Sequence, residues 1–271
     1  MISALIGLRR MWRGPCRDLC LALTQDKIAI FVSVLAKYIV IDRRQSGFFC
    51  RRSDVSGHSM IAPTYPSPIP ANRKADMLVH IVGLLLILAA GFALIFNALR
   101  HLSTPLTGAA IVYVVCALAS NLASCAYHFS PWHSQRKLLR RIDHAAIYLS
   151  ISGSFTPFFV LANTGWTLSL LWICWGLTAL AIRKKITDEQ VKSKWSTASY
   201  LALGAIGLSS LPDLTMVPAA TLWCIIAGAA CYVAGTAFYA RKTMPYRYAI
   251  WHIWVSFGGM FMYAGIWMAL F

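Results

Sequence analysis

The stretch SCAYHFSPWHSQRKLLRRIDHAAIYL, residues 124–149, joins the end of one apolar run to the start of the next through a short basic segment. Ser130 and Pro131 stop the first run, because proline offers no amide hydrogen and biases the residue before it away from the helix. Arg136, Lys137, Arg140 and Arg141 then precede Ile142, where apolar residues resume. The pattern reads as helix, basic turn, helix. His128 closes the first helix and Asp143 opens the second, each at the edge of a run otherwise almost free of ionisable groups.

Working outward, seven segments are apolar for about the 20 residues that a helix needs to cross a hydrocarbon core of roughly 30 Å. They cover 78–99, 106–127, 142–162, 165–182, 194–211, 217–239 and 248–271. The runs are continuous rather than alternating, so they predict helices and not the strands of a barrel. The 271-residue chain is 58% hydrophobic and 13% charged, which excludes an ordinary soluble domain. The expected fold is all-α, a seven-transmembrane helix bundle in the region 76–271, preceded by a basic arm over 1–75.

The placement of charge sets the expected orientation. Basic residues concentrate at 136–141, again at Arg183, Lys184, Lys185, Lys192 and Lys194, and again at Arg241, Lys242 and Arg247. The three intervening loops hold only Arg100. Such alternation is the positive-inside pattern, and it puts the N-terminus in the cytoplasm and the C-terminus outside. The net charge of +16 raises the competing reading of a nucleic-acid surface, but such a surface would not predict charges that alternate from loop to loop. Membrane lipids are therefore the expected partners, with no nucleic acid.

The arm carries Arg9, Arg10, Arg13, Arg17, Arg43, Arg44, Arg51 and Arg52, and a Pro/Ser-rich stretch, TYPSPIPAN. Its one apolar run, IAIFVSVLAKYIVI, is short and contains Lys37, which predicts an interfacial or poorly ordered helix. No cleavable signal peptide is expected from it. Cys116, Cys125, Cys174, Cys224 and Cys231 fall within or at the ends of apolar runs, where cysteine packs as a small apolar residue, and Cys16, Cys20 and Cys50 fall in the arm. There is no CxxC pair, and no disulfide framework is expected.

The seven-span topology brings three distant parts of the chain to one depth. The second helix ends inside at His128, the third starts inside at Asp143, and the seventh starts inside with YRYAIWHIWV, which sets His252 about a turn or two into the membrane. Taken singly, each has a plain explanation: an imidazole at a helix end can reach to the interface, and a carboxylate in a first turn is favoured by the helix dipole. Together, two imidazoles and a carboxylate suit Zn²⁺ and leave a position for water. Ser124 lies one turn before His128 on the same helix face, so its hydroxyl can point at whatever that histidine binds. Its plain alternative is a bond back to a preceding carbonyl. His80, alone within the first run, is expected to be a satisfied core histidine.

The run from Ser124 to His128, then RIDHAAIYLSISGSFTPF around Asp143, then GTAFYARKTMPYRYAIWHIWV around His252, resembles the hemolysin III branch of the progestin and adipoQ receptor (PAQR) family. The resemblance covers about 76–271. It implies a seven-helix bundle with a zinc site facing the cytoplasm, and kinship to alkaline ceramidase-like membrane hydrolases. It implies further that His128 and His252 are zinc ligands, that Asp143 holds or deprotonates the metal-bound water, and that Ser124 assists beside the metal. The family pattern has another histidine four residues before the one matched by His252; here that ligand position is Tyr248. A phenol with a reference pKa near 10 is a poorer ligand at neutral pH than an imidazole. His133 and His144 are the neighbouring imidazoles available as substitutes, although His144 follows Asp143 directly and so points about 100° away around the helix.

The function implied is a zinc-dependent hydrolase of a lipid amide or ester bond at the cytoplasmic leaflet, in the inner membrane of a bacterium. The alternative is a non-catalytic receptor or a pore-forming hemolysin that keeps the fold with a degenerate metal site. Gly153 and Pro157 are expected to kink the third helix, and Trp132, Trp166, Trp195 and Trp251 to anchor at the interface.

Overall fold

A computed structural model describes residues 65–187 and 193–271. The expectations for the arm up to residue 64 lie outside the described residues. Within them the chain is all-helical: α1 (Pro70–His101), α2 (Thr104–Phe129), α3 (Arg136–Ala162), α4 (Gly165–Thr187), α5 (Ser193–Leu208), α6 (Ala219–Tyr239) and α7 (Arg247–Leu270). Short 3₁₀ turns at His133–Gln135 and Leu211–Asp213 bridge α2 to α3 and α5 to α6.

Six of the seven helices are long and apolar enough to cross a membrane. The exception is α5. At 16 residues it rises about 24 Å, short of the roughly 30 Å core, so length alone does not make it a span.

Two helices begin earlier than their apolar runs. α1 starts at Pro70, whose missing amide hydrogen costs nothing in a first helical turn, and it runs through Ala71, Asn72, Arg73, Lys74 and Ala75 before the apolar residues begin. α3 starts at Arg136 in the same way. Arg, Lys and Ala are good helix formers, yet they carry no hydropathy signal. The early start of α1 takes Asp76 into the bundle.

Neighbours in sequence pack against each other from α1 to α4, α6 packs on α7, and α7 returns to α1 and closes the arrangement. α3 lies inside it and touches α2, α4, α5 and α7. Accordingly, 61% of its apolar stretch is buried in protein, against 22–28% in the other five long helices. α3 is continuous through Pro157. Gly153 serves close approach: a Cβ there would stand 2.6 Å from the Cβ of Cys116 on α2. The same device joins α6 to α7, where a Cβ on Gly258 would meet the Tyr232 ring at 2.8 Å.

Leu94, Phe158, Phe159, Leu170, Ile225 and Ile266 are almost completely buried, and all sit toward the ends of their helices away from the basic segments. At the basic end the buried set includes the titratable side chains of Asp76, His80 and His128, with Ser124. Cys116, Cys125, Cys174, Cys224 and Cys231 are free thiols. Trp132, Trp166 and Trp195 are exposed at or next to helix ends.

Candidate metal centre

Four helix ends build the polar interior. Asp76 is the seventh residue of α1 and His252 the sixth of α7, each about 8 to 9 Å along its helix from the start. His128 is the last residue but one of α2, and Asp143 is near the start of α3. Because α1, α3 and α7 start where α2 ends, all four share one end of the bundle.

Asp76 is the hub. Its side chain is fully buried, and it accepts Nδ1–H of His128 on Oδ2 and Nδ1–H of His252 on Oδ1, both at 2.7 Å. A buried carboxylate needs such charge-assisted donors to offset its lost hydration. His80, one turn beyond Asp76, donates Nδ1–H to the Asp76 backbone carbonyl at 2.8 Å. Its Nε2 lies 3.0 Å from Ser124 Oγ, and His252 Nε2 lies 3.4 Å from the same oxygen. Asp143, on α3, stands near Ser124 and within electrostatic reach of His252, Asp76 and Arg140.

The proton count at this cluster is informative. With each Nδ1–H committed to Asp76, neutral His80, His128 and His252 keep an unprotonated Nε2. Around Ser124 stand His80 Nε2 and His252 Nε2, two acceptors for a single hydroxyl hydrogen. Such an excess of lone pairs favours a bound cation. The ring centroids of His80, His128 and His252 lie 4.1–5.4 Å apart. One ligand atom from each of Asp76, His128 and His252 can be chosen with all three within 4.8 Å of one another. Two imidazoles and a carboxylate fit Zn²⁺, either with Asp76 as the third ligand or with Asp76 orienting the imidazoles through Nδ1 so that Nε2 faces the metal.

The structure therefore brings together Ser124, His128, Asp143 and His252. Tyr248 lies beside them, its ring 5.0 Å from that of His128, with the Arg247 guanidinium 4.6 Å over the Tyr248 ring. His133 packs edge-on to Tyr65 at 4.8 Å and lies 3.2 Å from Arg136 Nη2, and the backbone carbonyl of His144 accepts Tyr200 Oη–H at 2.8 Å.

Asp76 and His80 are the residues that sequence reasoning missed as site residues. His80 is hydrogen-bonded at both nitrogens, as a core histidine should be, but both partners belong to the centre. The available signal was their spacing: an aspartate and a histidine four apart share one helix face, at the depth where His128 and His252 also lie.

The model of the family described as "Haemolysin-III related" matches residues 71–263. "Hemolysin-3" of Bacillus cereus is 31% identical over 193 residues, which is 70% of this chain and 87% of that protein. "Hemolysin-3 homolog" of Bacillus subtilis (strain 168) is 31% identical over 192 residues, 70% of this chain and 90% of the relative. The matched region begins ahead of Asp76 and extends past His252, so the residues of the candidate centre lie within it, and the chain is a multi-pass membrane protein belonging to the haemolysin III-related family of the PAQR group.

Proposed function

We propose that the chain is a zinc-dependent hydrolase of a lipid amide or ester bond, with its centre at the cytoplasmic leaflet of a seven-span bundle whose N-terminus is cytoplasmic. The observation that carries this reading is the convergence of Asp76, His128 and His252, buried or nearly so, beside a serine and a second carboxylate. When bound, zinc polarises a carbonyl and supplies a hydroxide nucleophile near neutral pH. Asp76 fixes the imidazoles in the tautomer that leaves Nε2 free. Asp143 is the general base, and Ser124 turns its one hydroxyl hydrogen toward that carboxylate and so positions it. A lipid substrate is favoured because the centre lies near helix ends, where a headgroup and the first atoms of its chains reside.

The second reading is a family member without turnover, a receptor or a hemolysin in the literal sense of the relatives' names. Tyr248 at the position of the missing imidazole is the observation in its favour. A pore along the bundle axis is less well supported, since Phe158, Phe159, Leu94, Ile225 and Ile266 fill the apolar half with side chains exposed by 1% or less.

Metal analysis of the purified chain, joined to an assay on lipid amides and esters, tests the proposal. One zinc per chain is expected, with hydrolysis abolished by a chelator and by His128→Ala, and with Asp143→Asn keeping the metal but losing turnover. A chain that binds no zinc, or binds it and turns over none of these lipids, returns the protein to the non-catalytic reading.

A further inference from the structure

A second feature at the same end of the bundle has no part in the centre. A cleft of about 150 Å³ is lined by Tyr65, Arg73, Lys74, Met77 and Phe129. Arg73 and Lys74 belong to the first turn of α1, and neither is paired with a carboxylate among the described residues. The Arg73 guanidinium lies 4.4 Å over the Tyr65 ring, and that of Arg136 lies 5.2 Å from the same ring, so two guanidinium groups gather around one tyrosine. The Asp76 carboxylate, one turn on, is engaged by His128 and His252 and leaves these cations unneutralised.

The cleft is smaller than the roughly 300–1,000 Å³ of sites that enclose a drug-sized molecule. It has room for a headgroup and not for acyl chains. Chains have a place outside it, because Met77 begins a stripe of exposed apolar residues, Met77, Ile81, Leu85, Leu88 and Phe92, spaced three or four apart along the outer face of α1. An occupant with an anionic head and apolar chains matches both parts, and a small free anion matches only the first.

We propose that this cleft seats the anionic headgroup of a bilayer lipid, with Arg73 and Lys74 on its charge and its chains along the Met77 stripe. Binding is independent of the hydrolase reading. Phe129, one wall of the cleft, packs edge-on to His80 at 4.9 Å, so the seat adjoins the candidate centre. That the seated lipid presents its scissile bond there is the one part that rests on the hydrolase reading.

The full chain in detergent, titrated with phosphatidylglycerol or phosphatidylcholine and read by native mass spectrometry, tests the proposal. Phosphatidylglycerol should bind more tightly than phosphatidylcholine. Arg73→Gln with Lys74→Gln should weaken it about 25-fold, at about fivefold per cation near a membrane surface. Arg73→Lys with Lys74→Arg should retain it, which separates charge from folding. Arg183→Gln with Lys184→Gln, an equal loss of charge at the basic end of α4, should change it less than about twofold. His128→Ala should lose metal and keep the lipid, so failure of the centre and failure of the seat are read separately. Equal binding of the two lipids, or equal loss in the two charge-removing pairs, overturns the proposal. Displacement by millimolar inorganic phosphate overturns it in favour of a free-anion site.

Discussion

At the scale of single residues, Asp76 has the most to explain. A carboxylate taken fully out of water would be costly alone, and here it is held by two imidazole N–H groups at 2.7 Å. Removing it leaves those donors without an acceptor and frees both rings to turn. Asp76→Ala is therefore expected to weaken zinc binding by about ten- to a hundredfold, the range seen for ligand-orienting partners, as measured by competition with a chelator. An unchanged affinity would remove Asp76 from the centre. Tyr248 carries the opposite expectation. It shares a helix face with His252, and its ring is 5.0 Å from that of His128, so Tyr248→His adds an imidazole beside the existing donors. Zinc should bind more tightly in Tyr248→His than in the natural chain. Equal binding would mean that Asp76 has already taken the place the histidine would fill.

At the scale of elements, the centre depends on α2 and α3 lying close enough for Ser124 to meet Asp143. Gly153 permits that approach, since any Cβ there would overlap Cys116 at 2.6 Å. Gly153→Val is expected to force the pair apart at a cost of about 1–3 kcal/mol, seen as a lower melting midpoint in detergent. Cys116→Gly in the same chain should recover much of the loss, because it vacates the overlapping atoms; no recovery would place the strain elsewhere. The helix starts matter as much. Had α1 begun with its apolar run at residue 78, Asp76 would sit in a loop, and neither His128 nor His252 would have this partner in a fixed position.

At the scale of the whole molecule, the open question is whether α5 crosses the membrane, because its 16 residues decide which side the C-terminus occupies. The alternation of basic segments favours seven crossings: a reporter fused after Phe271 should read outside the cytoplasm, and one inserted near Lys185 inside. The same compartment for both would mean an even number of crossings between them and six spans in all. The sequence by itself determined the helical class, the family and the place of Ser124, His128, Asp143 and His252 at one end of the bundle. Apolar run length and charge alternation are properties of local segments facing a bilayer, and they are readable without knowledge of packing. The Asp76 hub, the recruitment of His80 and the placement of His133 against Tyr65 were decided only by the tertiary structure. Those facts depend on which faces of α1, α2 and α7 turn toward one another, a choice made by side-chain packing between elements far apart in sequence, whereas a polar first turn such as that of α1 leaves no trace in hydropathy.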